Sequence, residues 1–338
     1  MDSNEVASAF QNDSLGSDDA VGLADKIKKG ELSASLVTRD AIERAKAVNP
    51  KLNAITVENF DLAQTNSEKP FSGFFQGVPT FIKDTDEVPG LPLYLGSRSL
   101  PGEPSDKYSK AAKQIIDTGL NCLGTTTTPE FGLTGTTESL RFGATCNPWN
   151  TAYSTGGSSG GSSALVASGV IPIAHANDGA GSIRIPASCC GLVGLKASRG
   201  RIKDKEVPSY LPANILHDGV VTRSVRDTWA FHAEIEKNIP ATEFPPIGDI
   251  SESFPKNLKI AVLTENCLGE DSSAELVQAT HDVARLCESL VHEVEMISNP
   301  FYKKFDEDFW LLWAHFGFLI RYSVGKELSS KFDHTQLE

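Results

Sequence analysis

Basic residues are in deficit in this chain. Lys and Arg number 31 against 44 Asp and Glu, a formal charge of −13. No local basic run offsets this, which argues against nucleic acid as a direct partner. Cysteine is sparse: Cys122, Cys146, Cys189, Cys190, Cys267 and Cys287 are dispersed, and the one close pair is adjacent. That spacing suits neither a disulfide framework nor CxxC metal ligation, so reduced, buried thiols are expected. Long hydrophobic runs are also missing. The most concentrated, Phe309 to Ile320, is shorter than the roughly 20 apolar residues a membrane span needs. It reads as a core helix, with a substrate-channel or membrane-surface helix around His315 as the alternative. The start, MDSNEVASAFQNDSLGSDD, has no basic stretch followed by an apolar one. It therefore looks like neither a secretory signal nor a transit peptide, and a cytoplasmic location is expected.

What the chain does contain is core-forming material: 338 residues, 40% of them hydrophobic, enough for a folded globular protein. Residues 1–16 are polar and expected to be disordered, and 17–338 are expected to form a single domain. Two helices should open it, one through AVGLADKIKKG stopping at Gly30, the other after Ser33 or Ser35 and ending at Asn49-Pro50. Short apolar runs at GVPTFIKD (77–84), near Asn121, in VIPIAHAND and in KIAVLTE (259–265) alternate with helical patterns such as KYSKAAKQIIDTG and Ser273 to Met296. This alternation predicts an α/β fold with a mixed, largely parallel central sheet covered by helices on both faces. Segments 236–257 and 298–306 read as surface connections.

The densest unusual stretch runs from Ser154 to Ile202: STGGSSGGSSALVASGVIPIAHANDGAGSIRIPASCCGLVGLKASRGRI. Apolar runs interleave with its glycines, which a flexible linker would not need. Phosphate cradling is a first reading. However, GGSSGGSS has no P-loop lysine, and there is no G-x-G-x-x-G in an orderly βαβ unit. Acyl transfer is a second reading. Around Gly179-Ala180-Gly181-Ser182, small residues let backbone N–H groups converge beside a hydroxyl nucleophile. His175 lies in an apolar run and is expected to pack in or beside a strand. Lys83, behind an apolar strand, is the better base, because burial moves a lysine pKa down from about 10.4 toward neutrality. A hydroxyl could link the two, and Ser158, Ser159, Ser162 and Ser163 are all available. The residues alone leave that choice open.

These segments resemble the amidase signature family. GGSSGGSSALVASG with AHANDGAGSIRIPASCCGLVGLKASRGRI is similar to its glycine- and serine-rich signature, and GVPTFIKDT to its lysine-bearing segment. NPKLNAIT, LGTTTTPEF, FGATCNPWN and VVTRSVRDT match further pieces, so the likeness covers roughly residues 17–295. The resemblance implies an amidase with Lys83 as base, Ser158 as the bridging serine after a cis peptide bond, and Ser182 as nucleophile. The 24-residue offset from Ser158 to Ser182 is the one the family uses. It further implies an oxyanion hole from the backbone of Gly179, Ala180, Gly181 and Ser182, with no metal or organic cofactor. Asp178 and Arg184 flank the nucleophile and are expected to pair in support of its loop. Ala180 stands where many members have glycine, tolerable if its φ is negative, and AGS resembles the cyclic amide oligomer (nylon-type) hydrolases. The chain is shorter than the family norm, so a C-terminally incomplete domain is expected. A small-molecule amide is the expected partner, and a second copy of the chain is a candidate. The alternatives are the amidase subunit of a tRNA-dependent amidotransferase and a truncated, non-catalytic amidase-fold protein.

Overall fold

The structure is a computed structural model that describes residues 5–202, 215–237, 244–248, 256–266, 268–302, 304–328 and 332–337. The chain divides into two compact units, 1–248 with 321–338, and 249–320. A single domain was expected, and the division after Gly248 falls inside the stretch 236–257 that reads as a connection. Residues 238–243 and 249–255 of that stretch lie outside the described residues.

The first unit is built chiefly from α1 (Ala20–Lys28), α2 (Ala34–Leu52), β1 (Ile55–Glu58), β2 (Pro79–Lys83), β3 (Asn121–Thr126), α3 (Gly160–Ala167), β4 (Ile173–Asp178), α4 (Arg184–Cys190), β5 (Val193–Gly194), β6 (His217–Thr222) and α5 (Val225–Glu236). Strand pairing is mixed. β2 runs parallel to β3, while β1 on β3, β4 on β6 and β5 on β6 are antiparallel. The antiparallel share exceeds what the alternation of elements suggested, because short irregular segments, rather than crossover helices alone, return the chain to the sheet. Between β2 and β4 the ties are side-chain ones: Thr80 Oγ1 donates to the Ile173 carbonyl at 3.0 Å and the Lys83 N–H to His175 Nδ1 at 3.2 Å. All five residues of β2 are buried.

The first helix starts at an Asp19 cap, its side chain accepting from the Gly22 N–H at 2.9 Å. α2 starts on Ser33 and runs through Pro50 to Leu52, ending on Asn53 in the left-handed region. Proline so close to the end forfeits one helical hydrogen bond without breaking the helix. Residues 5–16 depart from the expectation of disorder. Ala7, Ala9 and Leu15 are buried, and the Ala7 and Ala9 N–H groups donate to the carbonyls of Pro148 and Ser168. Arg44, 1% exposed, reaches across to Asp13 and to the carbonyls of Gln11 and Gly16, fixing a polar segment that hydropathy alone reads as free.

The second unit pairs β7 (Lys259–Val262) in parallel with β8 (Glu293–Met296), with α6 (Ala274–Ser289) between them in sequence. The helix expected to reach Met296 ends at Ser289, because Val291 turns through a positive φ of 67° and the chain resumes as a strand. Helix α7 (Phe305–Leu328) contains the Phe309–Ile320 run. The run was expected in the core, yet Trp310, Leu311 and Phe318 are exposed and only Phe316 is buried among its described side chains. No described helix is long and apolar enough to cross a membrane. Of the five described cysteines, all free, Cys122 and Cys190 are buried, but Cys189 is exposed, against the expectation of buried thiols throughout.

Candidate active site

Lys83 is the last residue of β2. Its side chain is fully buried, and Nζ bonds Ser158 Oγ at 2.6 Å and Asn177 Oδ1 at 2.7 Å. The chain turns immediately afterwards, with the N–H groups of Thr85 and Asp86 both donating to the Lys83 carbonyl. Asp84, next in the chain, is fully buried, and its carboxylate accepts from the N–H groups of Tyr94 and Gly96. Burial pushes its pKa up to about 7 in spite of those two bonds.

Ser158 follows a cis Gly157–Ser158 peptide bond and precedes α3, every residue of which from Gly160 to Val166 is buried. The glycines here permit close packing. A Cβ on Gly157 would sit 2.5 Å from the Thr136 carbonyl oxygen, and one on Gly161 would sit 2.6 Å from that of Ala54. This accounts for the glycine pattern without a phosphate ligand. The serines that the sequence leaves equivalent have different partners. Ser158 Oγ meets Lys83, Ser159 Oγ donates to the Asn177 carbonyl at 3.3 Å, and Ser162 Oγ donates to the His175 carbonyl at 2.6 Å. Ser163 Oγ is buried with no hydrogen-bond partner among the described residues.

Ser182 sits in the turn between β4 and α4. It keeps 8% of its surface exposed, against 1% for Ser158 and none for Lys83, so the three hydroxyl and amine positions grade from reachable to sealed. No hydrogen bond joins Ser158 Oγ to Ser182 Oγ among the described residues. The turn is organised by Asp178. Its carboxylate accepts from the N–H groups of Gly181 at 2.7 Å and Ile183 at 3.2 Å, and holds the Arg184 guanidinium at 2.9 Å on both oxygens. Burial by itself raises the Asp178 pKa, but the Arg184 and Gly181 hydrogen bonds outweigh it and the net shift is downward. The pairing expected of Asp178 and Arg184 is thus present as a two-point contact. The Gly181 N–H is engaged there, so of the four amides expected to face an oxyanion, those of Gly179, Ala180 and Ser182 are the ones not held by Asp178. Gly181 has φ of +120°, and a Cβ there would lie 2.7 Å from Ile185 Cδ1. Ala180 is absent from the non-glycine residues with positive φ, meeting the condition its substitution requires.

His175 lies in β4, fully buried, as the sequence suggests. Its Nε2 faces Asp218 Oδ1 at 3.2 Å and Asp86 Oδ2 at 4.0 Å. The three side chains are spaced like metal ligands. The donor set does not fit a metal, however. Nδ1 accepts the Lys83 N–H, which places the imidazole proton on Nε2, where it is donated to Asp218 instead of leaving a lone pair for an ion.

Asn177 is the site residue that sequence reasoning missed. It sits directly before Asp178, and a polar residue inside the apolar pattern VIPIAHAND was the available signal.

A family model described as Amidase matches residues 36–336. Over 331 residues the chain is 44% identical to the protein called "Putative amidase AmiC" in Mycobacterium leprae, covering 98% of this chain and 70% of that protein. Among solved structures, that of a 6-aminohexanoate cyclic dimer hydrolase complexed with substrate aligns with a TM-score of 0.73 at 35% identity. The alignment covers 83% of this chain and 60% of that one, so the chain spans less than two thirds of that neighbour. A bacterial aryl acylamidase of the amidase signature enzymes aligns with a TM-score of 0.79 at 28% identity, covering 93% and 69%.

Proposed function

The chain belongs to the amidase family, and from that premise we propose that it hydrolyses a carboxylic amide C–N bond through a Ser182 acyl-enzyme, with Lys83 as base and Ser158 as relay. The observation that carries this reading is the 2.6 Å bond between the sealed Lys83 Nζ and Ser158 Oγ, in a site where Ser182 is the least buried of the three. Complete burial disfavours an ammonium ion, so a neutral Lys83 can take the Ser158 proton while Ser158 takes that of Ser182.

Ser182 Oγ then bonds to the carbonyl carbon, and the oxygen becomes an oxyanion held by the amides of Gly179, Ala180 and Ser182. As the C–N bond breaks, the proton returns from Lys83 through Ser158 to the leaving amine. Water, deprotonated along the same relay, hydrolyses the ester and releases the acid. The relay spans a lysine at a strand end and a serine in a turn, which is why a hydroxyl between them is needed. The Asp178–Arg184 pair keeps the turn in shape. The substrate class is a small-molecule amide, linear or cyclic, and the chain acts in the cytoplasm.

A panel of anilides, primary amides and cyclic amide dimers, read by release of amine, tests the reading. Wild type should turn over at least one of them, Ser182→Ala and Lys83→Ala none, and Ser158→Ala only a trace. Removing such groups costs on the order of a thousand-fold or more. Wild-type-like turnover in any of the three variants removes that residue from the mechanism.

A further inference from the structure

The second bond of Lys83 Nζ leads away from the serines. Asn177 Oδ1 accepts from Nζ at 2.7 Å, Asn177 Nδ2 donates to Thr85 Oγ1 at 2.6 Å, and Thr85 Oγ1 donates to Asp86 Oδ2 at 3.0 Å. We propose that Asn177, oriented by Thr85 and Asp86, is a positioning residue that sets the rotation of the Lys83 amine and so aims its lone pair at Ser158. This rests on the assignment of Lys83 as base.

Every link in the chain has a forced direction. An ionised carboxylate only accepts, so the Thr85 hydroxyl spends its proton on Asp86. Its lone pairs are then left for a donor, which turns the NH₂ side of Asn177 toward Thr85 and the carbonyl oxygen toward Lys83. Asp86 is itself fixed, because Ser109 Oγ donates to its other oxygen at 2.6 Å. A neutral amine has two N–H groups and one lone pair about a freely rotating Cε–Nζ bond. Once one N–H is committed to Asn177, the rotation is fixed, and one of the two remaining tetrahedral directions points at Ser158 Oγ, 2.6 Å away. Asn suits the place because its amide is neutral: it accepts an N–H without favouring the ammonium form as a carboxylate would. Local chain geometry supplies the rest. Thr85 and Asp86 occupy the turn that immediately follows Lys83, and Asn177 is the penultimate residue of β4, one before Asp178. The base and its orienting group are therefore held by the same two segments.

The test uses the full chain and an alkyl fluorophosphonate, whose phosphorus is attacked by Ser182 Oγ with loss of fluoride. The labelling rate is followed by intact mass from about pH 6 to about pH 10, a range that brackets a perturbed lysine. In Asn177→Asp the carboxylate stabilises ammonium, so the rising limb should move to higher pH by about 1 to 3 units and the rate should recover at its alkaline end. Thr85→Val, similar in shape but without the hydroxyl, should slow labelling by about a hundred-fold with no such displacement, and Thr85→Ser should restore most of the loss. Thermal melts establish that each variant is folded. An unmoved profile in Asn177→Asp, a loss that is uniform across pH, or a wild-type rate in Thr85→Val overturns the inference, and Thr85→Val decides alone if Asn177→Asp does not fold.

Lys83→Ala separates the two levels. Rapid labelling in that variant removes the base assignment, and with it the inference. Loss of labelling there alongside wild-type behaviour in Asn177→Asp and Thr85→Val removes only the inference. A folded wild-type chain that is not labelled removes both.

Discussion

Lys83 and His175 are joined through the main chain of one and the side chain of the other. The Lys83 N–H donates to His175 Nδ1 at 3.2 Å, and the opposite ring nitrogen faces Asp218 at 3.2 Å. The imidazole thus ties the end of β2 to β4 and gives a buried carboxylate its donor.

His175→Leu should therefore destabilise the protein, leaving the Lys83 N–H and the Asp218 carboxylate without this partner in a buried setting. A loss of about 1–3 kcal/mol for each unsatisfied group is expected in denaturant unfolding. A chelator should leave melting temperature and activity unchanged in wild type. A drop on chelation, reversed by a divalent ion, would show that the Nε2 proton assignment is wrong.

Asp178→Asn keeps the shape of the side chain but halves its accepting capacity toward Gly181, Ile183 and Arg184. Turnover should fall more than stability, since the loop carrying Ser182 loses its anchor while the core stays intact. The Asp178 pKa is lowered in the fold, so its stabilising contribution is present above the unfolded value near 3.8 and disappears as pH falls through the folded value. Acid unfolding of wild type and Asp178→Asn should accordingly converge at the lowest pH.

Gly161→Ala asks whether the glycine run is there for packing. The added Cβ would meet the Thr127 hydroxyl at 2.4 Å and the Thr127 backbone nitrogen at 2.6 Å, and the backbone cannot yield as a long side chain can. Overpacking of this kind costs about 1–3 kcal/mol. A thermal melt indistinguishable from wild type would refute the close-packing account.

His232 supplies a pH signature. Burial, with lesser effects from His217 and Arg201, lowers its pKa from 6.5 to about 4. The unfolded chain takes up this proton as pH falls below about 6.5, whereas the folded chain does so only near 4. Stability is thus lost across that window, by about 3 kcal/mol at its acid end. Raised carboxylates act in the opposite sense: Asp84 at about 7 and Asp227 at about 6 favour the fold on acidification. The informative quantity is the difference between wild type and His232→Gln. Their stability gap should shift in favour of His232→Gln as pH drops from about 6.5 to about 4, and a gap independent of pH would contradict the buried neutral imidazole.

Much of the candidate site is legible in the sequence. Ser182 follows from small residues around a hydroxyl, and Lys83 from a lone cation at the end of an apolar strand, because both are local patterns with a chemical rationale. The strands Pro79–Lys83, Asn121–Thr126 and Ile173–Asp178 were legible for the same reason: each is a short apolar run bounded by turn residues. The residues by themselves left Ser158, Ser159, Ser162 and Ser163 equivalent; the family resemblance pointed to Ser158, and the fold sets it apart physically by placing its hydroxyl against Lys83 while the hydroxyls of Ser159 and Ser162 meet main-chain carbonyls. Tertiary structure also decided that residues 5–16 pack, because their anchor Arg44 is distant in sequence, and that Trp310 and Phe318 are exposed despite their hydropathy. The Asn177–Thr85 link is of the same kind. Periodicity places a residue on its own element, but hydrogen bonds between residues 92 apart depend on how elements are brought together, which no local pattern encodes.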